Sequence, residues 1–467
     1  MFKDFLQAKK YLYSLIPVLQ KEEFPGRLGL LRMANLLQRL DNPQKEFISV
    51  HITGTAGKSS TSYLISTIMQ RTGLKVGLTI SPHLQTMRER FQINGKLIIE
   101  KRFISLINQI KPLVKKMAEK SPYGKPSYFE VLLAASFLYF TQEKVDLAVV
   151  EAGLGGKYDG TNVLKPQIAV LTNIGLDHTH ILGKAKQTIL KDKMEIIKPN
   201  CATTVTGIKQ NYLLKIIKEH CHKQKVPLFI HQRDFKAKLK SFNPQGSKFD
   251  FIFQKRAIKD NNLNLPGLYQ IDNACLAIAA CMKLNKTGKF KLTNNQIKKA
   301  LQKAFFPGRM EIISQKPLVI LDGAHNEDKI KALLKSIKKL YPKKKFTVIF
   351  GVKKDKDARK MLLSLKKISQ DFIITQFDSA TDLGFKLNYP AKELFQLAKK
   401  IDLSVKISLK NNSQLAFKKA KANNKSVLIT GSLYLVGEAR QFFNLKPNHS
   451  SVIPIHAIEY VKIHMRH

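Results

Sequence analysis

The sequence predicts a two-domain α/β protein with a parallel sheet in each half. Its length, the alternation of strand-like and helix-like runs, and a glycine–lysine turn between an early strand and helix point that way. At 467 residues the chain exceeds what one ordinary hydrophobic core organises. Strand-like runs FISVHITG, KVGLTI, DLAVVEAG, PQIAVLTNI and CATTVTGI fill the first half. PLVILDGA, FTVIFGV, DFIITQF, SVKISL and SVLITGS follow in the second, most of them separated by helix-length segments. That rhythm suits parallel strands covered by helices.

The stretch HITGTAGKSSTSYL, residues 51–64, sits where a β-prone run meets an amphipathic segment. Strand, glycine turn and a helix with Lys58 at its entrance form the layout of a phosphate cradle. Glycines let backbone N–H groups approach an anion, the helix N-terminus adds partial positive charge, and the lysine reaches the outer phosphates. The usual loop has four residues between its glycines, whereas only Thr55 and Ala56 separate Gly54 from Gly57. A glycine turn that merely precedes a helix is the plainer alternative.

Further along, FQINGKLII predicts a hairpin turning at Asn94-Gly95. KFDFIFQKR and NLNLPGLYQ read as a small antiparallel insertion before the helix DNACLAIAACMKL. The Pro-Gly turn in FFPGRMEII, residues 305–313, places a boundary there. The expected division is a domain over 1–305, a smaller one over 306–445, and an unassigned tail over 446–467.

Composition narrows the class. The longest apolar run, VLLAASFLYF, is about half a membrane span. The N-terminus mixes charge and Pro17 with its apolar residues and shows no small-residue cleavage site. A soluble, cytoplasmic protein is expected. Four cysteines without CxxC spacing predict free thiols rather than zinc or disulfides. The net charge of +46 is spread over most of the chain, with many lysines at polar positions of amphipathic helices. A solvated lysine-biased surface is expected, with attraction of small anions as a by-product. A basic, nucleotide-dependent nucleic-acid-binding protein is the rival class.

The chemistry-bearing residues fall where strands end, which is where ligands bind in open parallel sheets. Glu151 follows DLAVV and is a candidate Mg²⁺ ligand, because that ion prefers oxygen donors and bridges phosphates. Taken alone, it reads first as a carboxylate capping the next loop. His178 follows IAVLTNI within GLDHTH, and imidazole is not a favoured Mg²⁺ ligand. Lys193, in KQTILKDKMEIIKP, is by default a surface residue. Asp322 and His325 end PLVIL, where they suit metal–phosphate work or proton handling, with a helix cap at Asn326 as the bland account.

In this order and with these neighbours, the residues resemble the folylpolyglutamate synthase / dihydrofolate synthase family of Mur-type ATP-dependent amide ligases. The resemblance runs over about residues 27–443. It rests on TGTAGKSS, SPHL, SYFE, EAGLGGKYDGTN, TNIGLDHTHILG, DNACLAIAA, FPGRMEII, LDGAHN, GVKKDKD and TGSLYLVGEAR. It implies an N-terminal Mur-ligase-like phosphate-loop ATPase domain and a Rossmann-like C-terminal domain. The family's phosphate loop has the short form GT-x-GK, so GTAGKSS is expected to bind nucleotide. Asn usually stands where this chain has Ala56, and Gly where it has Ser59, which leaves Ser59 or Ser60 to face magnesium.

The implied reaction is ATP-driven condensation of a folate carboxylate with the amine of L-glutamate through an acyl phosphate, with dihydropteroate as a further acceptor. Extension of the glutamate tail alone is the alternative. The resemblance implies that Gly54, Thr55, Ala56, Gly57, Lys58, Ser59 and Ser60 hold phosphates, with Asn273, Arg309 and Asp322 contacting ATP. Two Mg²⁺ sites would use Ser59 or Ser60, Ser81, Glu151 and His178, and Lys193 would be carbamylated. Lys58, Lys193, Asp322 and His325 take catalytic roles. The pterin end would lie near Leu28, Gly29, Leu30, Ser127, Tyr158 and Asp159. A monomer is expected, with neither nucleic acid nor membrane as partner.

Overall fold

The computed structural model describes residues 1–16, 24–285, 288, 290–377, 388–401 and 403–447. The tail expected from residue 446 therefore lies outside the described residues from 448 onward. The first sheet contains β1 (Ile48–Thr53), β2 (Val76–Thr79), β3 (Gln92–Ile93), β4 (Lys96–Leu97), β5 (Leu147–Glu151), β6 (Ile168–Leu171), β7 (Thr203–Thr206) and β8 (Leu228–Ile230). Their order is β4-β3-β2-β5-β1-β6-β7-β8. Strands β2, β5, β1, β6, β7 and β8 pair in parallel. The β3–β4 hairpin turns through Asn94 and Gly95 at φ 49° and 74°, the left-handed pair its sequence announces.

Helices cover both faces, so the strands read as continuous apolar runs rather than alternating ones. Leu147 and Val149 pack toward the helices Lys58–Met69 and Tyr269–Asn285. Ala148 and Val150, pointing the other way, meet Glu100–Lys120 and Tyr128–Gln142. The run VLLAASFLYF is inside the second of these helices and is buried there. Among the described residues, no helix is long and apolar enough to cross a membrane. The four cysteines are free and buried.

A second sheet, β9 (Phe235–Asn243), β10 (Gly246–Phe253) and β11 (Arg256–Leu263), is the antiparallel insertion, with β10 in the middle. Its outline differs from the expectation. KFDFIFQKR supplies most of β10, but NLNLPGLYQ lies largely beyond β11. Strand β9, FKAKLKSFN, carries lysines and is mostly exposed, so it lacks the apolar content that betrays a strand.

The third sheet comprises β12 (Glu311–Gln315), β13 (Leu318–Asp322), β14 (Phe346–Phe350), β15 (Ser369–Ile374), β16 (Lys406–Leu409) and β17 (Val427–Thr430). The order is β12-β13-β17-β14-β15-β16, all parallel except β12, which runs antiparallel to β13. The sheet is thus mixed rather than wholly parallel, because a short edge strand precedes PLVIL.

A buried charge cluster joins the two large sheets beside the Pro-Gly turn. Arg440, on the helix Leu433–Phe442, is wholly buried. Its Nη1 donates to Glu311 Oε1, its Nε to Gln85 Oε1 at 2.9 Å, and its Nη2 to the Lys446 carbonyl at 2.6 Å. Gly308 N donates to the other Glu311 oxygen at 2.9 Å. Gln85 belongs to the segment after β2, so this cluster ties the first domain to the second. Arg440→Met is expected to lower stability by about 3–5 kcal/mol, because it removes the cation facing a buried carboxylate. The urea midpoint measures it; a midpoint equal to the parent's would contradict the assignment.

Candidate active site

The site forms at the C-terminal edge of the first sheet, where the loops after β1, β5 and β6 converge, and the second domain covers it. Gly54 and Gly57 adopt φ of +147° and +81°. A Cβ on Gly54 would lie 1.9 Å from Thr172 Oγ1, and one on Gly57 2.3 Å from Asn273 Oδ1. The loop is braced from the β6 side: Ala56 N donates to Asn173 Oδ1 at 2.8 Å, and Thr172 Oγ1 donates to the Ala56 carbonyl at 2.6 Å. Thr55 Oγ1 accepts from Gly175 N at 3.0 Å. The helix begins at Lys58, whose Nζ donates to the Gly54 carbonyl at 3.2 Å.

Glu151 lies beneath this loop. Ser59 Oγ donates to its Oε1 at 2.9 Å, and Ser81 N to its Oε2 at 3.2 Å. Burial pushes the carboxyl up from its ordinary range, opposed by Lys58, Ser59, Ser81 and Arg309. Ser60, one residue on, is buried. Lys193 ends the helix Lys186–Lys193 and is 4% exposed, not the solvated lysine its polar segment suggests. The loop after β5 docks on it through Gly156 N and Lys157 N, which donate to Asp192 Oδ1 and the Asp192 carbonyl at 2.8 and 3.0 Å. Burial, helped by the nearby charge of Lys58, lowers the Lys193 amine to about 7.

The second domain contributes the ends of β13 and β14. Asp322 accepts from Tyr269 Oη at 2.9 Å, Met310 N at 2.7 Å and Ala324 N at 2.8 Å. Its carboxyl is raised by burial, against the pull of Arg309. His325 Nδ1 donates to the Gly323 carbonyl at 2.8 Å, so Nε2 is left to accept, and Lys329 Nζ lies 2.6 Å from it. Burial and Lys329 push this imidazole well below its usual range. Its free base position is occupied by a lysine proton, which alters the proton-handling role the sequence suggests.

One cavity of about 660 Å³ is lined by Gly54–Ser60, Ser81, Glu151, His178, Lys193, Asn273, Arg309, Asp322 and His325. All the expected nucleotide, metal and catalytic residues therefore meet around one space. A second cavity, of about 500 Å³, is lined by Gly29, Arg32, Ser127, Phe129, Tyr158, Asp159, Lys356 and Tyr434 among others. Ser81, Gly153, Leu154, His178, His325 and Leu433 line both cavities.

Not every expected acceptor residue lies on that second wall. On the helix Gly26–Gln38, Gly29 and Arg32 face the cavity, while Leu28 and Leu30 point to other faces and do not line it. Helical spacing of three to four residues, not adjacency, sets the wall. Ser127 caps the helix Tyr128–Gln142: its Oγ accepts from Glu130 N, and Glu130 Oε2 accepts from Ser127 N. Asp159 accepts from Leu154 N at 2.7 Å and Thr161 N at 2.9 Å, bracing the loop that forms the cavity wall.

Several residues had no assigned role in the sequence. Arg32 pairs with Glu130 through Nε and Nη2, at 2.7 and 2.8 Å. Asn173 and Tyr269 support the loop and Asp322. Asp177, read only as part of GLDHTH, accepts from Lys356 Nζ at 2.8 Å, Asn326 Nδ2 at 3.0 Å and Lys329 Nζ at 3.5 Å. Burial would raise its carboxyl, but Lys329, Lys356, His178 and His325 hold it well below the usual carboxylate range. Only its position two residues beyond Gly175, at a strand end, hinted at it.

A short phosphate loop on a parallel sheet, closed over by a second α/β domain, defines a Mur-type ligase. The sequence matches the Mur ligase middle domain over residues 52–281 and the dihydrofolate synthetase C-terminal domain over 309–442. It is 32% identical to the dihydrofolate synthase/folylpolyglutamate synthase of Bacillus subtilis over 443 residues, covering 94% of this chain and 99% of that protein. The fold superposes on Mycobacterium tuberculosis folylpolyglutamate synthase complexed with ADP at a TM-score of 0.87, with 25% identity, covering 95% of this chain and 99% of that one. A solved FPGS–AMPPCP–folate complex aligns at a TM-score of 0.79 with 29% identity, over 94% and 99% of the two chains. The chain belongs to the dihydrofolate synthase/folylpolyglutamate synthase family.

Proposed function

We propose that this protein joins L-glutamate to folates, and to dihydropteroate, using ATP and an acyl-phosphate intermediate. The observation that carries it is the pair of cavities meeting at Ser81, His178 and His325. A nucleotide in one can present its γ-phosphoryl group to a carboxylate at the end of the other. Carboxylates are poor electrophiles, so phosphorylation must precede attack by the glutamate amine. The carboxylate attacks the γ-phosphorus and ADP departs; the amine then attacks the acyl carbon, releasing phosphate and a proton.

Lys58 and the loop amides offset charge gathering between triphosphate and acceptor. Asn273 and Arg309 reach the nucleotide from opposite sides of the cleft. Gly29, Tyr158 and Asp159 shape the acceptor cavity, and the second domain excludes water that would hydrolyse the intermediate.

The oxygen donors fit Mg²⁺. One enclosed carboxylate and two serines suit an ion that completes its shell with phosphate oxygens and water. Among the described residues no cluster of three His, Cys, Asp or Glu is placed to hold a metal ion by protein side chains alone. Ser59 is favoured over Ser60 because its hydroxyl already faces Glu151. Ser81, Glu151 and His178 would serve a second ion. Bound there, Mg²⁺ would polarise the γ-phosphoryl group and neutralise its charge.

The test is ADP release by the purified protein with glutamate, comparing dihydropteroate with tetrahydrofolate. Release that needs glutamate and either acceptor supports ligation, and tetrahydrofolate alone would mark a tail-extending enzyme. Turnover that ignores both and requires nucleic acid would overturn the reading.

A further inference from the structure

We propose that Asp177 is the positioning residue that holds the two domains together over the reacting groups. This inference rests on the ligase reading above. Asp177 lies in the loop after β6, and that loop touches the phosphate loop on one side and the second domain on the other. Toward the phosphate loop, Asn173 Oδ1 accepts from Ala56 N at 2.8 Å, and Gly175 N donates to Thr55 Oγ1 at 3.0 Å. Toward the second domain, the Asp177 carboxylate collects Lys356 Nζ at 2.8 Å, Asn326 Nδ2 at 3.0 Å and Lys329 Nζ at 3.5 Å.

Asn326 ends the loop after β13 and caps the helix Glu327–Leu340, Lys329 stands in the first turn of that helix, and Lys356 lies in the loop after β14. One carboxylate therefore fixes both loops against the first sheet. Lys329 also donates to His325 Nε2 at 2.6 Å, so the same contact sets where His325 stands at the junction of the cavities. The Asp177 side chain is only 9% exposed, which protects these ion pairs from screening by salt. A buried carboxylate facing several cations across a cleft does not hold if the cleft opens, because each separated charge must regain water or another partner. Closure and assembly of the site thus occur in one step at Asp177.

The test uses Asp177→Asn, which keeps the shape and removes the charge. The variant should melt near the parent temperature and bind AMPPCP within about threefold of the parent. Its kcat should fall at least thirtyfold, and the share of ATP hydrolysed without ligation should rise. Small-angle X-ray scattering in the presence of AMPPCP should show a larger radius of gyration for the variant than for the parent. The scattering needs no folate, so an error about the acceptor leaves this readout intact. Lys356→Met combined with Asp177→Asn should lose little beyond the single variant. Additive losses, or a parent-like radius of gyration with only a higher KM for glutamate, would overturn the proposal and make Asp177 a substrate contact.

Discussion

Lys58→Ala is expected to cut kcat/KM by about a hundred- to a thousandfold, the range for removing one preorganised donor from a developing anion. The melting temperature should stay close to the parent's. The lysine stands at the first turn of the helix Lys58–Met69, and the only side-chain hydrogen bond described for it is to the Gly54 carbonyl. That bond is local and partly exposed, so its loss costs the fold little. The charge, by contrast, faces the cavity in which we propose that triphosphate and acceptor carboxylate approach each other. Steady-state assay with ATP and glutamate, alongside a thermal melt, separates the two effects. Near-normal turnover would remove the loop lysine from the mechanism.

Lys193→Ala should have an effect of similar size for a different reason. An amine lowered to about 7 is substantially neutral near neutrality, and only the neutral amine reacts with CO₂. Below that value the ammonium form dominates and the reaction stalls, so carbamate formation should rise as pH climbs through it. We propose that the resulting anion replaces an unfavourable cation beside Lys58 and orients the groups around the metal site. The alanine variant should lose about two to three orders of magnitude in kcat, and formate or acetate should restore part of it. In the parent, added bicarbonate should raise activity most at the acidic end of the range. A fully active alanine variant, insensitive to carboxylates, would show that the modification is not needed.

Much of the architecture was legible because it rests on local rules. Short, β-branched apolar runs such as LAVVE and VLIT favour strands buried on two faces, and Asn94-Gly95 favours a tight turn. Strand β9 was not legible: four of its nine residues are lysine or serine, and its pairing with β10 decides its conformation. β12 escaped for the same reason, since an edge strand needs one apolar face only.

The sequence by itself determined the phosphate loop, the strand-end positions of Glu151, His178, Asp322 and His325, and the turn where the second sheet set begins. Each depends on a few consecutive residues whose backbone preferences favour one outcome. Tertiary structure alone decided which of these groups interact. It buried Lys193 from a polar helix and turned Leu28 and Leu30 away from the second cavity. It also brought Lys329 and Lys356 onto Asp177 from the other domain. Burial and charge at a point in space are sums over distant segments. A lysine that reads as solvated in its own helix becomes a buried, perturbed amine only when another loop closes over it.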